Sequence, residues 1–161
     1  GEGPVGGIVA CANVCLPFIV RSSSPDLELF EDISSAIREL CHSPSRMVRG
    51  FAAETLYELH DATIQVSSQH SLSSQVVAAL VEHFFQCSMG LARLCGYPTG
   101  YFLDMTAEND DELENERTEV RDLLRTCCGI PTQENISSQT SFGLVTEVLM
   151  RFIQACADPF H

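Results

Sequence analysis

The run Gly1-Glu2-Gly3-Pro4-Val5-Gly6 has the Gly-x-Gly-x-x-Gly spacing of a dinucleotide phosphate cradle, and Asp26 follows where such a site carries an acid for a ribose hydroxyl. That chemistry needs a strand before the glycines, so that they form a strand-to-helix turn under a pyrophosphate. Nothing in this sequence precedes Gly1, so the match is read as accidental and this end as flexible. His42, His60, His70 and His83 are spread over separate helices and turns, and no Gly-x-Ser-x-Gly, His-Glu-x-x-His or phosphate-loop pattern accompanies them. The expectation is a chain that is not an enzyme and needs no cofactor, with His60 and His83 at the edge of the core.

Eight cysteines could form a disulfide framework or a metal site. Most fall within apolar helical patterns, which is how reduced, buried thiols are distributed. No Cys-x2-Cys pair occurs, and Cys11 with Cys15 has no matched histidine pair for zinc. All eight are therefore expected to be free thiols without metal, with one of the vicinal Cys127-Cys128 pair packed inward.

A polar stretch from Asp104 to Glu119 holds eight acids against the single base Arg117. Acids in a first helical turn interact favourably with its free N–H groups, but residues before Asp111 are expected outside any helix. The stretch lacks the spacing and central glycine of an EF-hand calcium loop. Asp104, Glu108, Asp110, Asp111 and Glu112 are thus read as a mobile acidic loop that meets basic segments of a protein partner.

The composition agrees. With 45% hydrophobic and 19% charged residues over 161 positions, the chain can bury a core. Its net charge is -13 and its nine basic residues are all arginine, so nucleic acid is repelled and basic protein segments are attracted. Pro4 to Val20 carries no charge and raises the question of a membrane span or signal sequence. It is short for a span, contains Asn13 and Pro17 and lacks a basic lead, so a buried helix and no membrane contact are expected. The Asn135-Ile136-Ser137 sequon would matter only in a secreted chain, and an intracellular location is expected.

The elements that must position these residues are helical throughout. Apolar periodicity predicts helices near 5–21, 26–41, 45–67, 71–95, 112–128 and 140–157, separated by Pro25, Pro44, Gly96-Tyr97-Pro98, Gly129-Ile130-Pro131 and Asp158-Pro159. Ser43 is expected to cap the third helix, with Pro44 at its first position. Val48, Phe51, Ala52, Thr55, Leu59 and Val66 share one face of that helix, and Arg46, Glu54, Tyr57 and Asp61 the other. The next helix is apolar around more of its circumference and should be covered on both flanks.

The run from His42 to Leu59 resembles the central signature of a HEAT repeat: a proline turn at Pro44, Val48-Arg49, Ala three residues after that Arg, and Leu at Leu56 and Leu59. A proline turn reverses the chain between two antiparallel helices, and a small Ala52 lets them approach closely. A second copy at Val120-Arg121 has Leu124 in place of the alanine and Cys128 in place of the leucine. Tyr97-Pro98, the acidic stretch and the helix Arg117-Thr118-Glu119-Val120-Arg121-Asp122-Leu123-Leu124 are similar, in that order, to nuclear-transport receptors of the importin-β superfamily, of the transportin-SR and importin-13 type.

The resemblance implies an all-α fold of antiparallel helix pairs stacked as a right-handed α-solenoid segment, with 5–21 ending one repeat, 26–67 a second, 71–128 a third carrying the acidic insert 97–111, and 140–161 opening a fourth. Flanking repeats would then continue the stack at both ends. It implies that Arg49 and Arg121 tie neighbouring repeats together through acidic side chains. It also implies a protein of cytoplasm and nucleus that binds cargo or a small GTPase of the Ran type, or else a scaffold of phosphatase or chromatin complexes. The expected core is Val48, Ala52, Leu59, Leu80, Phe84, Leu91, Val120, Leu124, Val148 and Phe152.

Overall fold

Side-chain caps and proline turns set the helix boundaries in a computed structural model of the chain, which describes residues 3–69, 72–94, 110–128, 150, 151, 153 and 154. Five helices follow one another: α1 (Gly3–Arg21), α2 (Leu27–Cys41), α3 (Arg46–Ser67), α4 (Ser74–Leu94) and α5 (Asp110–Cys128). Met150, Arg151, Ile153 and Gln154 are also helical, and no strand occurs among the described residues. The protein is all-α.

Asp26 caps α2 by accepting from the Leu29 N–H at 3.0 Å, and Ser73 accepts from the Val76 N–H at 3.2 Å at the head of α4. The cap of α3 is Ser45 rather than Ser43; its hydroxyl accepts from the Val48 N–H at 3.4 Å. Ser43 instead accepts from the Ser45 N–H, so Pro44 belongs to the turn and the helix starts one residue later than expected. At the head of α5, Asp110, Asp111 and Glu112 are not loop but the first turn of the helix, and α4 starts at Ser74 rather than near 71. Acidic residues are favoured in a first helical turn by its unpaired N–H groups and positive dipole end, which accounts for α5 starting this early.

The helices lie in two rows. In one, α3 packs between α1 and α5; in the other, α2 packs beside α4, and α1, α3 and α5 each also touch a helix of that second row. Arg151 extends the second row: it pairs with Glu82 of α4, and its guanidinium lies 4.3 Å from the centre of the Phe85 ring. Between the rows lies one continuous core that includes Leu16, Phe30, Ile37, Leu56, Leu59, Leu80, Phe84 and Leu91. Burial of each such side chain contributes about 1.5–3 kcal/mol, which is what holds helices of modest intrinsic stability in place.

Ala52, Leu59, Leu80, Phe84, Leu91 and Val120 of the expected core are buried. Val48 is only half-buried, because the inward position of its turn is taken by Arg49. The side chains of Leu124, Val148 and Phe152 lie outside the described residues. Helix α3 is buried over a wider arc than its apolar face alone suggests, with Arg49, Thr55, His60 and Thr63 all inside. Thr55 and Thr63 manage this by donating to the carbonyls of Ala52 and Leu59, at 2.7 and 2.8 Å.

The uncharged N-terminal segment forms a helix with one packed face rather than a wholly buried one. Val9, Ala12, Leu16, Ile19 and Val20 face α2 and α3, whereas Val14 and Phe18 are each 71% exposed. By length and composition α1 is apolar enough to cross a membrane, and a third of its apolar window is buried in the fold. Pro17 sits inside it without a donor for the carbonyl of Asn13.

Candidate functional site

Arg49 occupies the junction of three elements. It is buried in the first turn of α3, and its Nη1 donates to the carbonyls of Ser43 and Pro44 at 2.9 and 3.0 Å, tying down the turn that leads into its own helix. Its Nε donates to Glu116 Oε1 of α5 at 2.7 Å, with Nη2 at 2.5 Å from the same oxygen. Glu116 is itself only 8% exposed. A charged pair taken this far out of water persists only with good geometry and further hydrogen bonds, and here the turn carbonyls supply them.

Glu116 is the residue that sequence reasoning missed. It belongs to the acidic stretch, where the sequence reading gives it no role of its own. Its spacing carried the signal, since Glu116, Val120 and Leu123 fall at i, i+4 and i+7 and all three are buried. Arg121, expected in the same tying role as Arg49, is exposed on α5. The buried stripe of α5 passes through positions 116, 120 and 123 and Arg121 stands off it, while residues 129–149, which lead into the repeat it was expected to tie, lie outside the described residues.

Beside the Arg49–Glu116 pair, α3 and α5 enclose an open groove of about 780 Å³. Leu91, Val120 and Leu123 are buried at its floor, and Met47, 66% exposed, and half-buried Phe51 stand on its α3 wall. Gly50 opens onto it; a Cβ there would meet no atom within 4 Å. Glu54, Glu119 and Asp122 are exposed at its edge, with Arg46 3.8 Å from Glu119. Such an arrangement can take up apolar groups flanked by positive charge. Among its described lining residues there is no Ser, Cys or His.

Of the expected partner-binding acids, Asp111 is exposed on the first turn of α5. Asp104 and Glu108 lie outside the described residues, as do the side chains of Asp110 and Glu112. Comparison with family models, with curated proteins and with solved structures gives no match to this chain.

The histidines and cysteines depart from expectation in two places. His83 and His60 are wholly inside the core rather than at its edge, at 1% and 5% exposure. His83 meets Phe30 edge-on with ring centres 5.9 Å apart, and its Nδ1 lies 3.7 Å from the Cys87 thiol. Burial first, and the Arg38 charge second, hold its pKa down to about 3, so the ring is neutral. The Arg151 hydrogen bond holds the Glu82 carboxyl below the usual range. Cys41 and Cys87 are buried free thiols, but Cys11 is exposed on the open face of α1, where it shares a hydrogen bond with Cys15 at 3.8 Å that raises the Cys15 pKa. Among the described residues no group of three or more His, Cys, Asp or Glu is placed to hold a metal ion.

Proposed function

We propose that this chain is a segment of a HEAT-repeat α-solenoid that works by binding other proteins, and that it belongs to a nuclear-transport receptor of the importin-β type taking up cargo or a small GTPase of the Ran type. The observation that carries this reading is the tie made by Arg49. The arginine of the HEAT-like signature in α3 reaches the acidic side chain of Glu116 in α5, the next helix of the same row. The two rows, α1-α3-α5 and α2-α4, support it, since repeats stacked side by side place equivalent helices next to one another. Basic protein segments are the partners that a net charge of -13 favours. Nucleic acid and membrane are not partners in this reading, and the protein works in cytoplasm and nucleus.

The test is a set of substitutions in the acidic stretch. Replacing Asp104, Glu108, Asp110, Asp111 and Glu112 with Ser lowers affinity for an arginine-rich peptide several-fold at low salt, and the loss shrinks as salt screens the attraction. The melting temperature falls only slightly, because the interaction of exposed first-turn acids with a helix dipole is weak. A large loss of stability with binding intact would assign the stretch to folding alone. Titration with a Ran-type GTPase in its GTP and GDP states then separates a receptor, which discriminates between them, from a phosphatase or chromatin scaffold, which does not.

A further inference from the structure

The groove between α3 and α5 is more than the space left beside an ion pair. Its α3 wall carries Gly50 in the second turn of the helix, with ordinary negative φ and open space where a side chain would stand. Glycine in such a place weakens a helix by about 0.5–1 kcal/mol relative to alanine. Neither backbone strain nor a close packing contact calls for it among the described residues. What the missing side chain does is deepen the groove between Met47 and Phe51, above a floor of buried Val120 and Leu123.

The charge around this apolar trough is negative on balance, in a chain of net charge -13. Arg49 and Glu116 neutralise each other, which leaves Glu54, Glu119 and Asp122 at the edge against Arg46, 3.8 Å from Glu119, and Arg125, 4.0 Å from Asp122, with Glu54 in excess. A phosphate-bearing ligand is repelled by such an edge, whereas a positively charged one is drawn to it. Two neighbouring helices with an apolar trough between them fit the helix-in-groove mode of peptide recognition.

We infer that the α3–α5 groove docks an amphipathic helical segment of a protein partner, a large apolar side chain entering over Gly50 between Met47 and Phe51 and flanking Arg or Lys side chains meeting Glu54, Glu119 and Asp122. This rests on the reading of the chain as a protein-binding segment and adds the place and the chemistry of the contact. The acidic first turn of α5 lies one to two turns from the groove's α5 edge and steers the same basic segment without forming the pocket.

The experiment is a fluorescence-anisotropy titration of the whole chain with a synthetic amphipathic peptide carrying Leu at i, i+4 and i+7 and Arg on its flanks. Two control peptides replace Leu with Ser or Arg with Glu. The parent peptide saturates, and both controls bind more weakly by about tenfold, corresponding to ~1.4 kcal/mol. Gly50→Phe fills the trough and weakens the parent peptide by a similar factor, while its helical circular dichroism and melting temperature stay at or above those of the unmodified chain. Glu54→Lys, at an exposed position, also weakens it.

Equal binding to Gly50→Phe, or equal binding of the Ser-substituted peptide, overturns the groove. If that binding is still lost in the five-serine variant, the protein-binding reading stands with the acidic stretch as its site. Failure of any basic peptide to saturate overturns both.

Discussion

Helices α3 and α5 carry the same Val-Arg step, Val48-Arg49 and Val120-Arg121, and the two arginines end in opposite surroundings. Arg49 is buried, bonded to two turn carbonyls and paired with Glu116, whereas Arg121 is exposed. In α3 the valine is half-buried and the arginine inside; in α5 the valine is inside and the arginine exposed. The difference follows from the flanks. Helix α3 has α1 on one side and α5 on the other, and α5 presents a carboxylate at the height of Arg49. A guanidinium enters a packed interface only where an anion and spare carbonyls meet it, so an identical dipeptide takes an inward or outward register according to what stands next to it.

The largest expected effect tests the closeness of the rows around α3. Ala52 is fully buried, and Ala52→Arg forces a long cation into the core with no anion to meet it, so the chain loses its cooperative thermal transition. Circular dichroism melting decides this, and a variant that melts like the parent would falsify the packing described for α3. The corresponding position in α5 is Leu124, where bulk is already present.

Next in size is the ion pair that distinguishes the two helices. Arg49→Met or Glu116→Leu alone leaves a buried charge without its partner and costs about 3–5 kcal/mol in urea unfolding. The double substitution recovers most of that loss, since two apolar groups leave no charge stranded. Arg121→Met, at the matched but exposed position, stays within about 0.5 kcal/mol. Equal costs for Arg49→Met and Arg121→Met would erase the contrast between the helices.

A third measurement separates the α3–α5 contact from the core between α2 and α4. His83 is neutral in the folded chain, with its pKa held down to about 3, and ordinary when unfolded, near about 6.5. The unfolded state therefore binds a proton between these values that the folded state refuses. Stability is fully present above about pH 6.5 and declines as pH falls towards 3, by an amount of the order of a few kcal/mol from this residue. His83→Leu flattens that part of the stability-against-pH curve, and an unchanged slope would place the acid sensitivity elsewhere.

Much of this protein is written locally in its sequence. Apolar spacing and proline turns set the existence and order of α1 to α5, because helix periodicity and the absent proline N–H act over a few residues whatever surrounds them. Ala52, Leu59 and Leu80 could be placed in the core for the same reason. The site was less legible. Glu116 reads as one more acid in an acidic stretch, and Arg49 and Arg121 read alike, since nothing within five residues of either records which helix will lie alongside.

What the tertiary structure alone decided is the partner of each side chain that no local rule provides for. Glu116 is 67 residues from the arginine it pairs with, and Gly50 gains significance only because α5 stands across from it to form the other wall of a groove. Helix positions follow from short-range sterics and hydrogen bonding. Burial of a charge, and an opening between two helices, depend on what the packing of distant segments brings to the same place.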